Sequence, residues 1–308
     1  YAAAHFCLVC GEVFQCRQCS VALTHHRREN RLICHYCGYT TPVPEHCPQC
    51  QSTAIKHYGV GTERVEAEVK NLLPEARVAR LDRDTAPHSG KALTVLESFA
   101  AGELDFLVGT QMITKGHHFP RVTLVGVIAA DLSLFFPEYH AGERTFQLLS
   151  QVAGRAGRGE AEGRVLIQTY HPEHYVFKAV QAQDYQGFVE RELSSRRELG
   201  YPPFTRLALV RLSGPGEESV AREARRLAGD LKAWLAREPE GRGRRLQVLG
   251  PAPASLRKLE GRFRWQLLVK SYGHGPLAHL LGRLRQVWSP PRRAHLSLTL
   301  DLDPASLL

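Results

Sequence analysis

The 308-residue chain carries 40 Lys and Arg against 31 Asp and Glu, a formal net charge of +9. Its apolar share of 43% is ordinary for a soluble globular protein with two or three domains; no run of roughly eighteen apolar residues offers a membrane span, and no signal-peptide pattern opens the chain. The basic excess favours a polyanionic partner, nucleic acid above all, although a solvated arginine-rich surface gives the same balance.

The chain opens on Tyr1 rather than Met and holds one methionine, Met112, as expected of a fragment or of a chain whose upstream part is absent. Residues 1–54 form a cysteine-rich module with all eight cysteines, in the pairs Cys7/Cys10, Cys16/Cys19, Cys34/Cys37 and Cys47/Cys50. Each Cys-x-x-Cys turn aims two thiolates at one point. A tetrahedral zinc ion takes two such turns, so four turns serve two ions. Gly11 and Gly38 follow the second cysteine of their pairs, where a tight turn best tolerates positive φ. Clustered pairs without a leader speak for metal in a reducing cytosol; disulfides and iron–sulfur ligation are the alternatives. A hairpin-like stretch from Thr24 to Leu32 lets Cys16/Cys19 and Cys34/Cys37 close one site and the outer pairs the other; sequential pairing is the alternative. His25, His26, His35 and His46 are substitute ligands, more simply read as solvated. Four thiolates leave no open position for water, so both ions are structural, and metal supplies most of the module's folding free energy.

Beyond the module, strands and helices alternate as in a parallel sheet. Val65, Val69, Leu72 and Leu73 stand at helical spacing, with Pro74 as a stop. A strand spans 77–81, a helix 93–99 and a strand 106–108. The apolar run 122–128 predicts a strand buried on both faces. A helix covers 145–152, a strand 164–168 and a helical extension 176–199. Gly200-Tyr201-Pro202-Pro203 then breaks the pattern as a linker. Residues 204–308 read as strand 205–212, helix 217–237, strands 246–249 and 263–270, helix 276–287 and strand 295–302. That order is the split βαβ arrangement.

Two stretches of the middle region carry chemistry. Val108 to Gly116 (VGTQMITKG) follows a strand, and Gln151 to Arg158 has the form Q-x-x-G-R-x-G-R. They resemble the fifth and sixth motifs of superfamily-two helicases. Arginine suits a transferring phosphoryl group because its charge is permanent and its planar fork meets several oxygens. The wider order is more specific. A four-pair cysteine module, GTERVE, LDRDT, VGTQMITKGHHFP, AADLSL, ERTFQLLSQVAGRAGRG, IQTYHPEH and GYPPF follow one another as in the PriA family of bacterial replication-restart helicases. The resemblance runs from end to end of the chain.

It implies an α/β fold with a RecA-like second helicase lobe and its helical extension over 55–203, after the two-zinc module over 1–54 and before a C-terminal α+β DNA-binding domain over 204–308. It assigns Arg155 and Arg158 to the γ-phosphate, Gln151, Gly116 and Thr110 to the nucleotide, and Lys115 to DNA. It implies as partners single-stranded and branched DNA, primosome proteins, a replicative helicase loader and single-stranded DNA-binding protein, in the cytoplasm at the nucleoid. The phosphate-cradling G-x-x-x-x-G-K-[ST] is missing, since Gly90-Lys91 is followed by Ala92 and Thr85 stands in place of the first glycine, and so is a DExH-type sequence. Both belong to a first lobe. ATP and Mg2+ are therefore expected only with that lobe intact, and no ATPase is expected from this chain alone. A zinc scaffold with a vestigial helicase lobe is the competing reading. In the last domain, Phe263 and Trp265 alternate with Arg262 and Arg264; the aromatics are expected inside and the arginines in solvent, within reach of DNA.

Overall fold

The computed structural model describes residues 4–19, 21–26, 30–34, 36–58, 61–82, 89–114, 119, 121–135, 138–154, 162–237, 246–288 and 295–307. The chain divides into two compact units. One takes in His57–Phe136 and His140–Val189, the other Ala4–Lys56, Pro137–Tyr139 and Glu190–Leu308.

The cysteine-rich segment forms a sheet of short strands, β1 (Ala4–Cys7), β2 (Thr24–His26), β3 (Arg31–Ile33), β4 (Thr40–Pro42) and β5 (Ile55–Tyr58), in the order β4-β3-β2-β1-β5. The expected hairpin is β2 against β3, with Thr24 opposite Ile33. Phe14, Leu23 and Leu32 are buried together with five of the cysteines. Three apolar side chains make too small a core to hold such strands, so the thiol clusters sit where the fold needs them.

The lobe is built from parallel pairs. Helix α1 (Thr62–Leu72) precedes β6 (Val78–Leu81), and α2 (Ser89–Ala101) precedes β7 (Phe106–Gly109), which lies parallel to β6. Strand β8 (Leu124–Val127) lies parallel to β9 (Arg164–Ile167), with α3 (Asp131–Leu134) and α4 (Ala141–Ala153) between them in the chain. The helical extension is two helices, α5 (Tyr175–Ala182) and α6 (Tyr185–Leu199), parted where Gln183 turns left-handed at φ +52°. Leu134, Phe146, Leu149, Val176, Phe177, Val180 and Phe188 make the core on which Val127 and Ile167 pack.

Two expectations for this lobe need correction. The run 122–128 is not buried on both faces: Leu124 is 53% and Ile128 45% exposed, and Leu166 across the ladder is 63% exposed. The helical layer covers one face of the β8–β9 pair, and among the described residues nothing covers the other. The expected apolar stripe of α1 likewise fails at its end, where Leu72 and Leu73 are exposed. A polar anchor holds α1 instead. Arg80 on β6 lies 3.3 Å from Glu63, 3.1 Å from Glu66 and 3.1 Å from Asp82, while the Thr62 hydroxyl donates to Asp82 at 2.5 Å.

The last domain follows the expected βαββαβ order: β10 (Arg206–Gly214), α7 (Glu217–Arg237), β11 (Leu246–Leu259), β12 (Arg262–Ser271), α8 (His274–Val287) and β13 (Ser297–Leu302). Its strands lie antiparallel in the order β11-β12-β10-β13. Strand β11 runs ten residues past its expected end, because the pairing resumes after register shifts around Gly250-Pro251 and again before Lys258. Ala208, Val210, Leu212, Leu267 and Val269 pack under α7 and α8. The opposite face is buried too, with Leu207, Leu209, Arg264 and Lys270 all sealed. Part of its cover is the segment expected to be a linker. Lys270 Nζ donates to the last carbonyl of α6, Leu199 O, at 2.7 Å, and lies 3.7 Å from the Tyr201 ring centroid; the Thr205 hydroxyl donates to Gly200 O at 3.0 Å. Gly200 sits at φ +63°, and a Cβ there would meet the Tyr272 hydroxyl at 2.9 Å, so glycine is needed at this bend.

Candidate functional site

Each Cys-x-x-Cys pair sits in the same tight turn. The first cysteine's N–H is held by the carbonyl five residues on, as in Cys7 to Glu12, Cys16 to Val21, Cys34 to Tyr39 and Cys47 to Ser52. The residue four positions on returns its N–H to the first cysteine's carbonyl in three turns, from Gly11, Gly38 and Gln51, all at positive φ. The left-handed requirement read at Gly11 and Gly38 is thus real, and Gln51 meets it without being glycine.

These turns bring the thiols into two groups, Cys7 with Cys10, Cys47 and Cys50, and Cys16 with Cys19, Cys34 and Cys37, each with its sulfurs within 4.8 Å of one another. The outer and inner pairs are therefore combined as the hairpin suggested. Sγ separations of 3.5 Å for Cys7–Cys50, 3.6 Å for Cys10–Cys47 and 3.6 Å for Cys16–Cys37 are far too long for S–S bonds. They suit a tetrahedron with Zn–S bonds of about 2.3 Å, whose edges are about 3.8 Å. Both groups are four-cysteine sets that could hold zinc, and in a closed four-thiolate set the metal's chemistry is structural. They differ in cover: Cys10 and Cys50 of the outer group are exposed, whereas Cys16, Cys19 and Cys34 of the inner group are buried. The Cys10 and Val9 amides hold the Cys7 thiol down at about 6. Burial pushes Cys19 up to about 12, against the pull of one amide. Neither described cluster includes a histidine: His25 faces Asn30 at 3.3 Å and His46 is exposed. The His26 side chain and His35 lie outside the described residues.

In the lobe, Thr110 follows β7 directly and Gln151 is exposed in the last turn of α4. Lys115, Gly116, Arg155 and Arg158 lie outside the described residues. Thr110 thus stands at the carboxyl end of a parallel strand, the end where open α/β sheets bind ligands. Asp131 lies beyond the same end of β8. It accepts from the Thr169 hydroxyl at 2.5 Å and the Tyr170 N–H at 3.0 Å. Burial would raise its carboxyl, but those two bonds, its own amide and the nearby His171 together outweigh it and hold it below the ordinary carboxylate value. Ala129, two residues earlier, is left-handed at φ +53°, a strained conformation for alanine.

The DNA-contact candidates of the last domain do not lie as expected. Trp265 does face the helices, with Arg225 stacked 5.5 Å from its ring centroid. Arg264 is 7% exposed rather than free in solvent, because its face of the sheet is covered. Burial pushes its guanidinium downward, and it makes no hydrogen bond or ion pair among the described residues. Arg262 is half-buried and occupied: its Nη2 donates to Ser213 O at 2.9 Å and to the Ser297 hydroxyl at 3.0 Å.

Comparison with known proteins agrees with this geometry. Residues 16–42 match the PriA DNA helicase Cys-rich region domain, residues 56–160 the helicase conserved C-terminal domain, and residues 197–305 the primosomal protein N C-terminal domain. The chain carries the C-terminal region of the PriA family. It is 40% identical over its whole length to the replication restart protein PriA of Bacillus subtilis, 41% over 98% of its length to that of Synechocystis, and 37% over its whole length to that of Haemophilus influenzae. It spans 38%, 35% and 41% of those proteins' own lengths. The PriA-type lobe and Cys-rich module read from the sequence are both present.

Sequence reasoning missed three groups. The carboxylates around Arg80 lay inside the quoted GTERVE and LDRDT segments, with Arg80 itself directly before the second, and their charge pattern is the signal that could have paired them. Asp131 lay inside AADLSL. Nothing local marked Glu260, whose amide reaches the inner thiol group from more than two hundred residues away.

Proposed function

We propose that the chain is the C-terminal part of a replication-restart helicase, which binds branched and single-stranded DNA and supplies the second half of an ATP site. The observation that carries this reading is the combination in one chain of two four-cysteine groups, a helicase C-terminal lobe and the PriA-type last domain in a single unbroken similarity. Arg155 and Arg158 reach the phosphates of a nucleotide presented by an upstream lobe, with Gln151, Thr110 and Gly116 beside it. Magnesium and the phosphate cradle come with that lobe. Each arginine then stabilises negative charge on the transferring phosphoryl group. The zinc ions hold the cysteine module in shape. DNA contacts neutralise backbone phosphates, as the charge of +9 favours, with fork shape rather than base sequence setting the preference. Lys115 is the lobe's candidate contact.

Primosome proteins, a helicase loader and single-stranded DNA-binding protein are the further partners this reading assigns, in the cytoplasm at the nucleoid. No helix among the described residues is long and apolar enough to cross a membrane.

The deciding experiment joins the chain to its natural upstream sequence and measures DNA-stimulated ATP hydrolysis. The chain alone is expected to be inactive, the joined protein active, and Arg158→Ala in it to lose most hydrolysis while DNA affinity stays within about twofold. Robust hydrolysis by the chain alone, or full activity of the variant, would contradict the assigned roles. A lobe kept only as scaffold would leave the joined protein inactive as well.

A further inference from the structure

The four Cys-x-x-Cys turns are alike in a detail that singles one of them out. The second cysteine of three turns takes a hydrogen bond to sulfur from the amide two residues on: Cys10 from Glu12, Cys37 from Tyr39 and Cys50 from Ser52. Cys19 does not. The amide that would serve it, Val21 N–H, is turned to the Cys19 carbonyl at 2.8 Å. The sulfur instead takes the N–H of Glu260 at 3.3 Å.

Glu260 lies at the tip of the β11–β12 hairpin. Leu259 pairs with Arg262, so Glu260 and Gly261 form a two-residue loop, and both are left-handed, at φ +48° and +79°. That is the backbone of a type I′ turn, whose twist matches the flanking strands. It points three groups at the same cysteine turn. Gly261 N–H donates to Gln18 O at 2.9 Å, Lys258 Nζ donates to Arg17 O at 2.8 Å, and Glu260 N–H reaches Cys19 Sγ. Between them Leu259 packs against the buried thiol cluster. The hairpin is fixed at its other side, where Arg257 donates through Nε and Nη2 to both Glu217 carboxylate oxygens at 2.6 and 2.8 Å.

We infer that the hairpin tip of the last domain completes the inner zinc site, supplying to Cys19 the amide hydrogen bond that the other three turns make for themselves. An N–H pointed at a thiolate spreads its charge and fixes its direction, and such outer partners hold metal about 10–100-fold more tightly than the ligands alone. At the outer site, Cys7, Cys10 and Cys50 draw on amides of their own module, within residues 7–52. The two ions should therefore respond differently to one change at the tip. The inference rests on the two-zinc reading, and the experiment separates the two.

The test uses the chain loaded with cadmium-113 in place of zinc. Two cadmium resonances are expected, and a through-bond correlation should link one of them to the amide proton of Glu260. The Tyr39 amide serves as control for the same ion, and those of Glu12 and Ser52 for the other. Fewer than two resonances would count against the two-zinc reading itself. Two resonances with all three control correlations but none to Glu260 would overturn the hairpin's role. A second arm needs no assignment of that amide. Gly261→Val puts a branched side chain where φ is +79° and disturbs the tip. It is expected to speed release of the inner ion to a chelator about tenfold and leave the outer ion's rate unchanged. Equal acceleration of both ions, or of neither, would contradict the inference.

Discussion

Replacing Arg80 with methionine is the sharpest probe of how the lobe is held. The side chain is 7% exposed, as is that of Asp82, and three carboxylates lie within 3.3 Å of the guanidinium. Methionine fills much of the volume but takes the guanidinium away from Asp82, Glu63 and Glu66, which stay close together. Removing one partner from a buried ion pair costs about 3–5 kcal/mol, because the remaining charge keeps its desolvation penalty. Arg80 and Asp82 are buried here, while Glu63 and Glu66 are partly exposed, so the expected loss lies at the lower end, about 3 kcal/mol. The loss should change little between low and moderate salt, since buried pairs are weakly screened. The assay has an internal control. All three tryptophans, Trp234, Trp265 and Trp288, lie in the last domain, so their fluorescence follows that unit, while far-ultraviolet circular dichroism follows both. In urea, Arg80→Met is expected to bring the dichroism change attributable to the lobe to lower denaturant and leave the tryptophan transition in place. A loss under about 1 kcal/mol would refute the argument, since that is the worth of an exposed pair. So would an equal shift of both transitions.

Other outcomes follow from the same contacts. Arg264→Met should leave the last domain's thermal midpoint unchanged or raise it, because the wild-type charge is buried beside Arg211 without an ion pair among the described residues; a loss above about 1 kcal/mol would point to an anchoring role. Asp105 is held at about 2 by hydrogen bonds from the Arg77 side chain and amide. Its folded-state value lies below the unfolded one, so its contribution is present above about pH 4 and fades as pH falls toward 2. Asp105→Asn should remove that part of the acid sensitivity, as read from thermal midpoints between about pH 5 and 2.5. Leu149→Ala, in a position 1% exposed in the lobe core, should cost about 2–5 kcal/mol by the dichroism signal alone.

The sequence carried the order of elements well, because local patterns encode it. The βαββαβ order of the last domain came from alternation and helical spacing, and the thiol groups came from cysteine spacing. What failed depended on partners far away in the chain. The strand at 122–128 was expected to be covered on both faces because its residues are all apolar, yet periodicity says nothing about whether a second layer is there to cover it. Arg264 was placed in solvent because it alternates with Trp265, and alternation does assign the face correctly. It cannot tell that the second face of this sheet is sealed, as Leu207 and Leu209 demonstrate. The end of β11 was missed because Gly250, Pro251 and Pro253 break the local pattern, while pairing with β12 carries the strand on to Leu259. The Glu260 amide was invisible for a simpler reason: a backbone donor has no residue type.

The most direct measurement is the affinity of the zinc-loaded chain for a model replication fork, and for duplex and single-stranded DNA of equal length, across a series of salt concentrations. Fork binding should be tightest, independent of base sequence, and should weaken steeply with salt, with a log–log slope of about −0.9 for each duplex phosphate neutralised. Affinity that is flat from low to physiological salt, or equal for fork and plain duplex, would contradict the assignment of this chain to fork recognition.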